Sequence, residues 1–164
     1  MKNKGIKITG LIVLLVVIDQ IIKIVAAKTL GVSLESITIL PKILNLTYFE
    51  NSESAFGIFS GRIILIGLDI MIIFIIAKML LSKKNELDNK VKLALSLILA
   101  GGTGNLIDRL FRGYVIDYID MGGLFGLPIF NFADICIVVG AISLIVLILI
   151  NTVKSQENSE DAKV

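Results

Sequence analysis

A few acids, amides and cations interrupt the most apolar stretches of this sequence. Asp19 and Lys23 lie four apart, so on a helix they share one face. Asn105, Asp108 and Arg109 close another apolar run, Asp117 follows on a strand-like segment, and Asn131 and Asp134 open the last run. Ionisable groups in or beside such runs are expensive in a membrane and point to function. Two carboxylates held close can share one proton. Such a pair can activate a water and protonate a leaving amine. Asp117 and Asp134 are the candidates, because the runs flanking them lie antiparallel and can bring them to one membrane face.

Composition narrows the field. There is no histidine and no tryptophan, and there is one cysteine. Ser-His-Asp and Cys-His nucleophile systems are excluded, as are a thiolate metal cluster and an internal disulfide. No metal and no cofactor is expected. A scattered net charge of +2 argues against nucleic acid as a partner.

The elements that hold these residues follow from hydropathy. Fully 55% of residues are hydrophobic and 18% charged, with a mean hydropathy of +0.91, too apolar for a soluble domain. The apolar residues fall in four blocks, about 6–27, 63–81, 91–110 and 132–150. Each is about 20 residues, enough to cross ~30 Å of hydrocarbon as a helix. The expected fold is a membrane all-α bundle of four transmembrane helices in one domain, 1–154, followed by a polar, unstructured tail, 155–164. The first block is read as a retained helix rather than a cleaved signal peptide, because Asp19 and Gln20 interrupt it and no small-x-small site follows.

Lysines at the N-terminus, between the second and third spans and in the tail place both termini in the cytoplasm. The outer segments, 28–62 and 111–131, contain strand-like stretches, Ser36–Leu40, Asn45–Phe49 and Tyr114–Ile119, with a turn at Pro41-Lys42. A small extracytoplasmic sheet and loop region is expected there. Gly122, Gly123 and Gly126 mark either a mobile lid or a plain turn.

Other residues read more simply. Asn131 and Asp134 have the spacing of an N-cap and its capping-box partner. Gly101, Gly102 and Gly104 suit close helix packing. Cys136 reads as a small buried residue, and Arg109 is expected to pair with Asp108 or an acid from the loops. Asp69, inside the second span, has no evident partner in sequence.

The order of motifs resembles the lipoprotein signal peptidases, the type II signal peptidases of bacteria. Asp19-Gln20-Ile21-Ile22-Lys23 matches D-Q-x-x-K, and Gly104-Asn105-Leu106-Ile107-Asp108-Arg109 matches G-N-x-I-D-R. Gly113 to Ile119 matches G-x-V-x-D-F-I, and Phe130-Asn131-Phe132-Ala133-Asp134 matches F-N-x-A-D. Asn51 to Gly57 looks like N-x-G-A-A-F-G, with Glu53 and Ser54 in place of Gly and Ala. The resemblance spans about residues 8–150. It implies that Asp117 and Asp134 are catalytic, that Asn105, Asp108, Arg109 and Asn131 line or support the site, and that Asp19, Lys23 and Asn51 shape it or contact substrate. It also implies a bacterial cytoplasmic-membrane enzyme with its site near the extracytoplasmic face. The substrate would be a diacylglyceryl-modified prolipoprotein, held in membrane lipid and cut just before its lipidated cysteine.

Rival readings keep distinct signatures. A four-span proton-coupled exporter would use intramembrane acids, Asp69 among them. An assembly factor would cleave nothing. A serine–lysine protease would pair Lys23 with Ser54 or Ser60.

Overall fold

With no water in the hydrocarbon to bond the backbone, long apolar runs close into helices. The two prolines, Pro41 and Pro128, both fall outside them. The computed structural model describes residues 2–33, 36–52, 61–82, 87–122 and 126–161, without the side chains of 2–5, 32–33 and 156–161. Within these lie four helices: α1 (Lys2–Ser33), α2 (Arg62–Leu81), α3 (Asn89–Phe111) and α4 (Phe132–Asp161). Each holds a segment long and apolar enough to cross a membrane, namely Ile6–Gly31, Arg62–Leu81, Asn89–Phe111 and Phe132–Ser155. Large apolar side chains such as Phe74, Ile142 and Leu149 stay exposed on the outside of the bundle, where lipid would cover them.

Two helices run further than hydropathy alone predicts. The last turn of α1 buries Leu30 against Ile116 and Tyr118, so tertiary packing extends it beyond residue 27. The tail expected to be unstructured from residue 155 is helical at first; α4 continues to Asp161. No Gly or Pro interrupts 151–161, so nothing local stops it.

α3 is the central helix and packs against α1, α2 and α4. Its buried residues Ala94, Gly101, Gly104, Asn105 and Asp108 recur at helical spacing. A Cβ on Gly101 would collide with the Ala133 carbonyl and lie 2.8 Å from Ile137. On α4, a Cβ on Gly140 would lie 2.7 Å from the Ala94 carbonyl. The glycines therefore let α3 and α4 approach backbone to backbone, the packing role their composition suggests.

A three-stranded antiparallel sheet of order β1-β2-β3 covers one end of the bundle, formed by β1 (Ile37–Leu40), β2 (Leu44–Asn51) and β3 (Val115–Asp120). Lys42, at φ 65, makes the left-handed turn between β1 and β2. β3 is the buried strand, and Val115 to Tyr118 are all shielded. Register pairs Asn51 with Val115 and Phe49 with Asp117. Phe130 and Ile119 exchange N–H···O bonds of 2.8 and 3.0 Å, so the chain enters α4 alongside β3. That junction brings Asp134 towards Asp117.

Candidate active site

Lys23 is fully buried and has a partner for each of its three ammonium hydrogens. It lies 3.0 Å from Asp19 Oδ2, 3.0 Å from Asp108 Oδ2, and donates to Asn105 Oδ1 at 2.9 Å. Gln20 donates to Asp19 at 3.2 Å and to Asp108 at 3.1 Å, and Arg112 closes the network on Asp108 and on the side-chain Oε1 of Gln20. Two carboxylates thus meet two cations. Isolated, any of these charges would be costly at this depth.

The two network acids do something further. Asp108 Oδ2 accepts the Ile116 N–H at 3.2 Å, and Asp19 Oδ1 accepts the Ala133 N–H at 3.1 Å. Ile116 precedes Asp117, and Ala133 precedes Asp134. α1 and α3 therefore grip the backbone next to each candidate acid.

The start of α4 is fully accounted for. Asp134 N–H donates to Asn131 Oδ1 at 3.0 Å, and Asn131 N–H donates to Asp134 Oδ2 at 3.1 Å, the reciprocal capping box its spacing suggests. Phe132 N–H donates to the Tyr118 hydroxyl at 3.2 Å. With Ala133 bound to Asp19, each orphan donor of this first turn has a partner.

Amides surround the two acids. Asp117 accepts from Asn131 Nδ2 at 2.6 Å and from Asn51 Nδ2 at 2.8 Å. Asp134 accepts from Asn105 Nδ2 at 2.8 Å, and Asn131 Nδ2 also reaches Asn105 Oδ1 at 3.3 Å. Among the described residues no cation comes within ion-pair distance of Asp117 or Asp134. Burial pushes the Asp117 carboxyl up to about 6, the Asp134 charge adds to the rise, and the Asn51 and Asn131 amides oppose it. Burial likewise holds the Tyr118 phenol above its ordinary range, so it stays neutral.

A cavity of about 520 Å³ opens beside the pair. Asn51, Asn105, Arg109, Asp117 and Asp134 supply its polar wall, and the rest is apolar, from Val115, residues 127–130 and the α4 turn carrying Ile135, Ile137, Val138 and Val139. The site thus joins two amide-held carboxylates to an apolar recess. Such an arrangement can hold a greasy chain while a carbonyl lies near the acids.

The structure brings Asp19, Lys23, Asn51, Asn105, Asp108, Asp117, Asn131 and Asp134 into one connected set. Arg109 departs from expectation. It pairs neither with Asp108 nor with a loop acid but with Asp69 of α2, Nη1 to Oδ2 at 2.9 Å, while Arg112 takes Asp108. One residue along a helix turns the side chain by about 100°, so Arg109 faces α2 while Asp108 faces α1. The partner of Asp69 is therefore Arg109, which removes the feature that favoured a transport site. Sequence reasoning passed over Gln20, Arg62 and Arg112. Arg112 was readable from its i+4 spacing to Asp108. Arg62, which donates to the Arg109 carbonyl at 2.8 Å, carries no local signal. Glu53, Ser54, Ser60 and Gly123 lie outside the described residues. A catalytic base needs a free lone pair, and every donor direction of Lys23 is engaged, which counts against the serine–lysine reading.

Comparison with known proteins agrees with the geometry. The profile of the signal peptidase II family matches residues 11–150. A lipoprotein signal peptidase of Fusobacterium nucleatum is 36% identical over 137 residues, covering 83% of this chain and 82% of that protein. One from Staphylococcus aureus is 34% identical over 154 residues, covering 93% and 91%. A solved structure of a bacterial membrane enzyme superposes with a TM-score of 0.78 at 32% identity, covering 92% of this chain and 90% of that one. With four helices able to span a membrane, and sequence and fold both shared over most of its length, this chain belongs to the signal peptidase II family of membrane peptidases.

Proposed function

We propose that this chain is an intramembrane aspartic endopeptidase that removes the signal peptide from diacylglyceryl-modified prolipoproteins, cutting just before the lipid-bearing cysteine. One observation carries the mechanism. Of the acids gathered at the sheet end of α1, α2, α3, β3 and α4, those facing the helix interfaces are each paired with a cation. Asp117 and Asp134 have amide partners instead, and both line the cavity.

In this mechanism the two carboxyls share one proton, which belongs to the pair. Asp117, whose carboxyl burial raises to about 6, hydrogen-bonds the scissile carbonyl oxygen through that shared proton. Asp134 takes a proton from a water, whose oxygen attacks the carbonyl carbon. The tetrahedral intermediate then collapses. The C–N bond breaks, and the proton held by Asp134 passes to the amine of the lipidated cysteine. Asn51, Asn105 and Asn131 hold both carboxylates still, so the geometry is set before substrate arrives. The apolar wall of α4 faces the substrate's hydrophobic segment.

The sheet end is assigned to the extracytoplasmic face of a bacterial cytoplasmic membrane, with both termini in the cytoplasm. Lysine placement in the short flanking segments supports this. The membrane anchors the substrate through its acyl chains, which converts a diffusing encounter into a positioned one.

The test uses purified full-length protein and a diacylglyceryl prolipoprotein in vesicles. Wild type should release the signal peptide, and Asp117→Asn and Asp134→Asn should each lose cleavage by at least ~100-fold. Wild-type rates in either variant would overturn the mechanism. No cleavage by wild type would overturn the substrate assignment.

A further inference from the structure

Arg109 is the one cation lining the cavity among the described residues. A guanidinium beside a membrane-level apolar recess is a ready site for phosphate, because its planar fork binds phosphate oxygens in pairs. A bilayer offers phosphate in excess, on phospholipids whose acyl chains suit the same apolar wall. The diacylglyceryl group of the proposed substrate carries no phosphate. The cavity must therefore take a neutral double-chain lipid in the presence of many charged ones.

Asp69 bears on that choice. It lies on α2, outside the cavity lining, and pairs with Arg109 Nη1 at 2.9 Å from behind. The two side chains are 21% and 14% exposed, so the pair is shielded enough for its charges to compensate each other. With Arg109 compensated and Asp117 and Asp134 sharing one proton, the cavity wall carries net negative charge.

We propose that Asp69 is a specificity-determining residue: by pairing with Arg109 beside the cavity, it prevents the guanidinium from capturing the phosphate of an anionic phospholipid and leaves the recess to a neutral diacylglyceryl chain. This rests on the substrate reading above. Asp69 does not contact the reacting atoms. A purely structural role, tying α2 to α3, is the competing explanation, and α2 already has a second tie through Arg62 and the Arg109 carbonyl.

The experiment compares wild type and Asp69→Asn in vesicles of digalactosyldiacylglycerol, a neutral lipid without phosphate, and in vesicles with equal parts digalactosyldiacylglycerol and phosphatidylglycerol. Asparagine keeps an acceptor for Arg109 but removes the charge. In the phosphate-free vesicles both proteins should show similar KM, kcat and melting temperature. In the mixed vesicles KM should rise about tenfold for Asp69→Asn and stay level for wild type, the scale of one charged hydrogen bond. Equal KM in both vesicles, or a kcat loss and lower melting temperature regardless of lipid, would overturn the proposal. A binding measurement separates it from the substrate reading. Spin-labelled phosphatidylglycerol should bind Asp69→Asn more tightly than wild type, and the gain should vanish in Asp69→Asn/Arg109→Gln. An unchanged affinity overturns the lipid-selection role even if cleavage is normal. Failure of wild type to cleave with this binding pattern intact overturns only the substrate reading.

Discussion

Asn131 donates through Nδ2 to Oδ1 of Asp117 across 2.6 Å, from the cap of one helix to the middle of a buried strand. The two residues are 14 apart in sequence. The same asparagine caps α4 through its own carbonyl oxygen. One side chain thus fixes the start of α4, where Asp134 sits, and the carboxylate of β3. Any rotation of α4 about its axis would break this bond and shift Asp134 relative to Asp117.

The protonation of Asp117 gives a pH dependence of defined sign. Its carboxyl rises from 3.8 to about 6 on folding, so the folded state binds more protons between those values. Its contribution to stability is complete below pH 3.8 and is lost as pH rises through about 6. That loss is about 3 kcal/mol at ~1.36 kcal/mol per pH unit. Thermal melting in detergent from pH 4 to 7 should show it in wild type and lack it in Asp117→Asn. Parallel curves would rule out the shift. In cleavage assays, kcat/KM should fall about tenfold per unit on the alkaline side of an apparent value near 6.

Asn51→Ala should move that alkaline limb upward. Asn51 donates to Asp117 at 2.8 Å and favours its charged form. Without that bond the proton is held more tightly, by up to about one unit. The pH profile of kcat/KM reads this directly. A limb that stays in place or moves down would contradict the bond's role, whatever happens to the maximal rate.

Lys23→Met should destabilise the protein by about 3–5 kcal/mol, the usual cost of removing one partner from a buried ion pair. Asp19 and Asp108 would then face each other without the cation between them. Melting temperature in detergent measures the loss. Because the same acids hold the Ile116 and Ala133 N–H groups, kcat should fall with it.

Two glycines should behave in opposite ways. A Cβ at Gly101 runs into the Ala133 carbonyl and Ile137, so Gly101→Ala should cost ~1–3 kcal/mol and displace the first turn of α4. A Cβ at Gly67 meets nothing within 4 Å, so Gly67→Ala should be neutral or stabilise by up to about 1 kcal/mol through helix propensity. Thermal melting and cleavage rate on both variants check the contrast. Equal effects would show that close packing of α3 on α4 is not what Gly101 provides.

Much of this molecule is written locally. Four apolar blocks of membrane-spanning length define the helices, because hydrocarbon leaves a chain no other way to bond its backbone. The capping box at Asn131 and Asp134, and the shared face of Asp19 and Lys23, depend on spacings of three and four residues and so are legible in order along the chain. Alternation and β-branching mark the strands, and the turn at Pro41-Lys42 separates the first two.

What the sequence left open was which groups meet across elements. Nothing local says that Asp69 pairs with Arg109, 40 positions away, or that Asn51 reaches Asp117, 66 positions away. The first depends on how α2 leans against α3, the second on a β2–β3 register that pairs Asn51 with Val115, beyond a bulge between Leu46 and Phe49. Nor does it say that Asp19 and Asp108 would be neutralised while Asp117 and Asp134 keep amide partners only. Every acid has the same intrinsic chemistry. Tertiary packing assigned the cations, because a buried charge keeps the partner that geometry brings within reach, and only the folded bundle sets that reach.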